Sequence, residues 1–205
     1  PGADKRMIAV AARFGKAVRL DPSQDPEIDA EEATEVLVLR RSADYLLRSL
    51  RSDLVARVEA DDLKDLFGQV LQLVVARHPR VPFEQMQAEL LEREKSFPTA
   101  LGHGVAVPHA YCSVLEERLC ALVQVPGGVD FQAPDGEPIR LAFLLLSPAG
   151  DPEGHLATMG EIARLVADRN VREELMACED AADLLVIVNR ARTGAGGGVR
   201  QASVG

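Results

Sequence analysis

The sequence predicts an α/β sandwich: a mixed β-sheet with helices on both faces, preceded by a helical N-terminal extension. Three observations predict it. Strand-like and helix-periodic runs succeed one another from about Ser52 to Arg192. The run "IRLAFLLLSP" is apolar at almost every residue, as expected of a strand covered on both faces. The 205 residues are 47% hydrophobic with no Trp and only two Tyr, so the core that they can bury is aliphatic.

The elements follow in order. Lys5 to Ala17 reads as a short helix with Met7, Ile8, Val10, Ala11 and Phe14 on one stripe. The polar, acidic, proline-bearing "RLDPSQDPEIDAEE" reads as a linker or exposed loop. From Asp29 to about Arg51, Val36, Leu39, Tyr45, Leu46 and Leu50 recur at helical spacing, although "EVLVLR" would also suit a strand. Residues 1–51 thus form a mostly helical extension on this reading. "LVARVEA" (Leu54–Ala60) alternates as a strand does.

"DDLKDLFGQVLQLVVARH" reads as a helix capped by Asp61 or Asp62, burying Leu63, Leu66, Val70, Leu73 and Val74. "HPR" ends it, because a residue before proline resists helical geometry. A second helix runs from about Pro82 to Glu94. "GVAVPHA", "LCALVQVP" and "IRLAFLLLSP" are strands, with turn residues in "GGVDFQAPDGEP". Three helices follow: "PEGHLATMGEIARLVADR", "NVREELMAC" and "DAADLLVIVNRAR", with Asn170 and Asp180 as caps. The tail, residues 193–205, has too little apolar content to offset the entropy of ordering it and reads as disordered.

Composition narrows the function. The net charge of −9 argues against a nucleic-acid partner, which needs clustered Lys and Arg. Arg40, Arg41, Arg48, Arg51 and Arg57 read either as a local basic patch or as a solvated helix face. Cys112, Cys120 and Cys178 lack CxxC spacing; they read as small core residues in a reducing cytoplasm. No apolar run reaches the roughly 18 residues that span a bilayer, and no signal peptide is visible. The chain begins with Pro1, which reads as a piece of a longer protein.

The chemistry concentrates in "TALGHGVAVPHA", Thr99 to Ala110, which holds two of the four histidines. Pro108 fixes the chain just before His109, and Gly102 and Gly104 allow close backbone approach. That arrangement suits a rigidly aimed imidazole, a fair nucleophile when neutral. A strand-end histidine that bonds a neighbour is the plainer alternative. His103 lies six residues earlier and is either on the same face or a bystander. His155 opens a helix just after an apolar strand, where α/β folds line ligand crevices and helix amides attract phosphate. Arg93 closes the second helix, as a helix-end charge or as a clamp on phosphate. A zinc site from His103, His109 and His155 is the least favoured use of these groups.

The segments "LEREKSFPTALGHGVAVPHA" and "IRLAFLLLSPAGDPEGHLATMGEIARLVADRNVREEL" together resemble the type-2 enzyme IIA family of the bacterial sugar phosphotransferase system, over about residues 52–192. The resemblance implies roles. His109 would be the phosphohistidine site. His155 would hold the phosphoryl group or orient the ring, and Arg93 would neutralise phosphate oxygens. Thr99, Gly102, His103 and Gly104 would shape the pocket. Neither metal nor organic cofactor is implied. The implied partners are a histidine-containing phosphocarrier and a sugar-permease domain or fused membrane transporter, with a homodimer as a further expectation. The alternative is a non-catalytic regulatory or dimerisation domain of a membrane transporter that reuses this fold.

Overall fold

The computed structural model describes residues 45–193 and, before them, two short strands. The chain divides into two compact units at Asp44/Tyr45. In the first unit β1 (Val10–Arg13) and β2 (Lys16–Arg19) pair antiparallel, with Arg13 opposite Lys16. The helix expected over Lys5–Ala17 is therefore a hairpin in its described part. The two residues separating the paired ends are Phe14 and Gly15, and a glycine in such a connection is a hairpin signal that the helical stripe obscured. Residues 20–44 and 194–205 lie outside the described residues, and with them the acidic linker, most of the Asp29–Arg51 helix and the tail.

The second unit opens with α1 (Tyr45–Ser49). This helix stops at Ser49 because Leu50 already pairs with Cys120 in β3 (Leu50–Arg57). Next comes α2 (Leu63–Arg77), whose cap is Asp62: its carboxylate accepts from the Asp65 amide at 2.8 Å. Leu66, Phe67, Val70, Leu71 and Val74 are its buried stripe. In α3 (Phe83–Ser96), Met86, Leu90 and Glu94 are buried at spacings of four, so a carboxylate shares the apolar face.

Three short strands follow: β4 (Ala100–Gly102), β5 (Val105–Ala106) and β6 (His109–Tyr111). The single strand expected over "GVAVPHA" is thus interrupted at Val107 and Pro108; proline has no amide proton for a ladder. The long strands are β7 (Leu119–Val129) and β8 (Ile139–Ser147). The chain closes with α4 (Pro152–Ala167), α5 (Arg169–Ala177) and α6 (Ala181–Thr193). Asp168, not Asn170, caps α5: its carboxylate accepts from the Asn170 amide at 2.8 Å. Asp180 accepts from the Ala182 amide at the start of α6, as expected.

The sheet is mixed, in the order β3-β7-β8-β5-β4, with β6 also pairing along β8. β7 runs antiparallel to β8, whereas β5 and β6 run parallel to it. Side chains alternate across the sheet. Ala121, Val123, Leu144 and Leu146 pack with Phe67, Val70, Met86 and Leu90 of α2 and α3. Leu122, Leu141, Phe143 and Leu145 pack with Leu46, Ile162, Leu175, Leu184 and Val188 of the other four helices. Both faces of β7 and β8 are covered, which explains their unbroken apolar runs. The one polar intruder in β7, Gln124, donates to the carbonyls of Leu175, Met176 and Cys178 and so satisfies the end of α5. Among the described residues no helix is long and apolar enough to cross a membrane. Cys112 and Cys120 are buried, Cys178 is half-buried, and all three are free thiols.

Candidate functional site

The site lies at the C-terminal end of β8. There β6 sets His109 opposite Leu145 and Tyr111 opposite Ser147. The next turn of chain leads into α4, whose first turn carries His155. Arg93 reaches in from the last turn of α3. Three distant stretches of sequence therefore converge on one spot.

His109 is half-buried and held at both ring nitrogens. Nδ1 lies 2.9 Å from the Val107 carbonyl oxygen. A carbonyl can only accept, so Nδ1 carries the proton and donates. The lone pair is thereby left on Nε2, which faces Arg93 Nη2 at 3.2 Å. Burial lowers the imidazole's pKa below its usual value; the Val107 carbonyl opposes this, Arg93 adds to it and Glu94 opposes it. The ring is then neutral at pH 7, with a defined nucleophilic atom.

His155 is only 3% exposed, and its Nδ1 lies 2.8 Å from the buried Ser147 hydroxyl. Its ring stands 5.2 Å from that of His109, centre to centre, inclined by 60°. Tyr111 covers another side at 4.7 Å. Burial, then the nearby His109, Arg93 and Arg118, push its pKa down to about 4. Two neutral imidazoles and one guanidinium thus face one another at a helix N-terminus, a setting that favours an anion.

Arg93 is exposed, and its guanidinium lies 5.3 Å over the Phe97 ring, which restrains its direction. Its neighbour Glu94 is buried and grips Thr99: Oε1 accepts from the Thr99 amide at 2.8 Å, and Oε2 from its hydroxyl at 2.5 Å. Thr99 in turn gives its carbonyl to the Val107 amide at 3.0 Å. Thr99 therefore braces the chain that carries His109 from behind; it does not face the open side.

Gly102, His103 and Gly104 lie elsewhere. All three have positive φ, at 84°, 54° and 73°, and make the tight turn between β4 and β5. The Gly104 carbonyl accepts from the Leu141 amide, whereas His109 pairs with Leu145. The turn is therefore about 13 Å from His109 along β8. His103 is exposed and gives its amide to Asp135 Oδ2 at 2.6 Å. A turn separates the two histidines, so even spacing along an extended strand does not apply. The three imidazoles of the expected zinc alternative do not converge. Among the described residues His103, Asp135 and Glu137 do offer ligand atoms within 4.8 Å of one another, but all are exposed, and such acidic groups are common without an ion.

Comparison with known proteins decides the family. The model of the type-2 EIIA domain of the phosphoenolpyruvate-dependent sugar phosphotransferase system matches residues 49–191. The chain belongs to that family. A nitrogen regulatory protein of Bradyrhizobium diazoefficiens is 37% identical over 119 residues, 58% of this chain and 74% of that protein. A fructose-specific EIIA component of Haloferax volcanii is 36% identical over 90 residues, 44% of this chain and 58% of that protein. The crystal structure of the nitrogen regulatory protein IIA-Ntr from Neisseria meningitidis superposes with a TM-score of 0.63 at 29% identity, covering 68% of this chain and 96% of that one.

Several residues of this type-2 IIA site escaped the sequence reading. Ser147 had a signal: it is the lone polar residue closing the run "LAFLLLS". Glu94 stands beside Arg93 in the "LEREKSF" motif as an arginine–glutamate pair, but its grip on Thr99 was not read there. Tyr111 and Arg118 had none, because only the register of β6 and β7 on β8 brings them to this end.

Proposed function

We propose that this IIA domain is a phosphoryl carrier, with Nε2 of His109 as the acceptor. The observation that carries the reading is the tautomer: Nδ1–H donates to the Val107 carbonyl, which leaves the Nε2 lone pair beside Arg93. In the transfer that lone pair attacks phosphorus as the P–N bond of an incoming phosphohistidine breaks, and the departing ring nitrogen keeps the electron pair. One P–N bond replaces another, so the step needs positioning and charge stabilisation more than driving force. Arg93 balances the equatorial oxygens, and the α4 N-terminus adds its partial positive charge. His155, held neutral, can hydrogen-bond the phosphoryl group without competing for it. Discharge is the reverse step, onto the next acceptor.

The donor fits a small histidine-containing phosphocarrier of the cytoplasm. Phe97, Tyr111 and Leu156 are exposed by 65%, 43% and 67%, an unusual exposure for large apolar groups. Phe97 stacks on Arg93, Tyr111 on His155, and Leu156 follows His155. They supply an apolar collar on which a carrier can seat while excluding water from the transfer. The name of the Bradyrhizobium relative favours a regulatory use of the phosphate, and that of the Haloferax relative a sugar-transport use. The wider alternative, a regulatory module of a membrane transporter, is compatible with a working His109.

The deciding experiment is incubation with the upstream relay proteins and labelled phosphoenolpyruvate. The expected product carries one acid-labile, base-stable phosphoryl group on His109. Absence of label, under conditions that label another type-2 IIA domain, rejects the proposal. Subsequent chase with a sugar-permease acceptor domain separates the two uses: discharge supports transport, and retention supports regulation.

A further inference from the structure

We infer that Arg118 is a positioning residue of the phosphoryl-transfer site: its half-buried guanidinium lies where a side chain at position 154 would have to be, pairs with Asp151, and so fixes the first turn of α4 that carries His155. Neither family membership nor the motif around His109 assigns this residue a role. The Arg118 side chain is 15% exposed and forms an ion pair with Asp151. Asp151 is the cap of α4, and its other oxygen accepts from the Gly154 amide at 3.0 Å. The Asp151 carbonyl accepts from the His155 amide at 3.1 Å. One carboxylate thus connects Arg118 to the residues on which the His155 ring depends.

Gly154 explains why the cation can sit there. A Cβ at this position would meet both members of the ion pair, with Asp151 Oδ2 at 2.5 Å and Arg118 Cζ at 2.6 Å. Glycine is a poor helix former, and it is kept in the first turn all the same. Here it leaves a cradle that the guanidinium fills. Cζ of Arg118 lies 5.0 Å from the centre of the Tyr45 ring of α1. Nε of Arg118 is buried with no hydrogen-bond partner among the described residues. Arg118 stands with Arg93 among the positive groups that disfavour protonation of His155. Ser147 holds the ring at Nδ1 while Arg118 holds the helix turn beneath it, and together they orient the imidazole opposite His109.

The inference rests on the phosphocarrier reading only in its rate measurement. In the unphosphorylated full chain, the titration of His155 is followed by NMR in the native protein, Arg118→Met and Arg118→Lys. Arg118→Met is expected to raise the midpoint by about half a unit, because a positive neighbour is lost and the turn loosens. Arg118→Lys keeps the charge and should restore the midpoint. In phosphoryl uptake from the phosphorylated carrier, Arg118→Met is expected to lower kcat about tenfold with KM nearly unchanged, as expected of displaced positioning. Arg118→Lys should recover only part of that rate, since it lacks the planar fork.

A double-mutant cycle tests the cradle. Gly154→Ala should lower the melting temperature more in the native background than beside Arg118→Met, where only the Asp151 carboxylate stays in the way. Additive effects would overturn the cradle, and an unmoved His155 midpoint in Arg118→Met would overturn the positioning role. Should no form of the chain accept phosphate, the carrier reading falls while the titration and the cycle still decide for or against Arg118.

Discussion

The two ends of β8 carry two histidines from one motif, and the fold makes them different chemical objects. At the C-terminal end His109 has a carbonyl on one ring nitrogen, a guanidinium on the other and a second imidazole across a 5.2 Å gap. At the N-terminal end His103 occupies a turn with φ of 54°, exposed, with Asp135 Oδ2 4.0 Å from its Nδ1. Six residues of sequence separate them. What separates their chemistry is desolvation and the number of fixed partners, which orient the His109 ring and set its protonation.

The largest test of that contrast is direct. His109→Ala should abolish phosphoryl uptake, while His103→Ala leaves the rate within about twofold, since a solvated side chain about 13 Å away cannot stabilise the transferred group. Arg93→Gln comes next. Removal of a charge-assisted donor from developing negative charge should cost about a hundredfold in kcat. Steady-state transfer from the carrier reads both. Equal losses for His103→Ala and His109→Ala would erase the distinction between the two ends.

Ser147→Ala sharpens the buried side of the comparison. It leaves Nδ1 of His155 buried without its partner, so stability should fall by about 1–3 kcal/mol in urea unfolding. Nothing comparable is expected at the exposed turn. There, Asp135→Asn weakens the acceptor of the His103 and Glu137 amides and should lower the melting temperature only slightly, with phosphoryl uptake unchanged.

The pH dependence has a definite sign. His155 titrates near 4 in the folded chain and near its usual 6.5 in the unfolded one. Between those values the unfolded chain binds the proton and the folded chain does not. This histidine's contribution is therefore complete above about 6.5 and is lost as the pH falls towards 4, by about 3 kcal/mol in all. His155→Gln should flatten that stretch of the unfolding curve.

The helices on both faces, the apolar central strands and the Arg93–His109–His155 order were legible in the sequence, because they rest on local periodicity and on a long motif. So was His109 as the aimed imidazole, since Pro108 and the register of a short strand are local. The hairpin at Val10–Arg19 was hidden behind an apolar stripe that also fits a helix, a reminder that periodicity alone cannot arbitrate short segments. The turn Gly102–His103–Gly104 looked like part of the site because it is adjacent in the chain; the antiparallel return of β5 on β4 carries it away from the imidazole.

By itself, then, the sequence determined which elements form and which side chains are available, because hydrophobic period, caps and turn residues act within a few positions. Only the tertiary structure decided which of those side chains meet. Ser147 reaches His155 and Glu94 grips Thr99 through the ends of long elements, and Arg118 fills the space above Gly154 through pairing of β7 on β8. Such contacts depend on strand register and helix placement, which the whole core fixes at once and no short window of residues encodes.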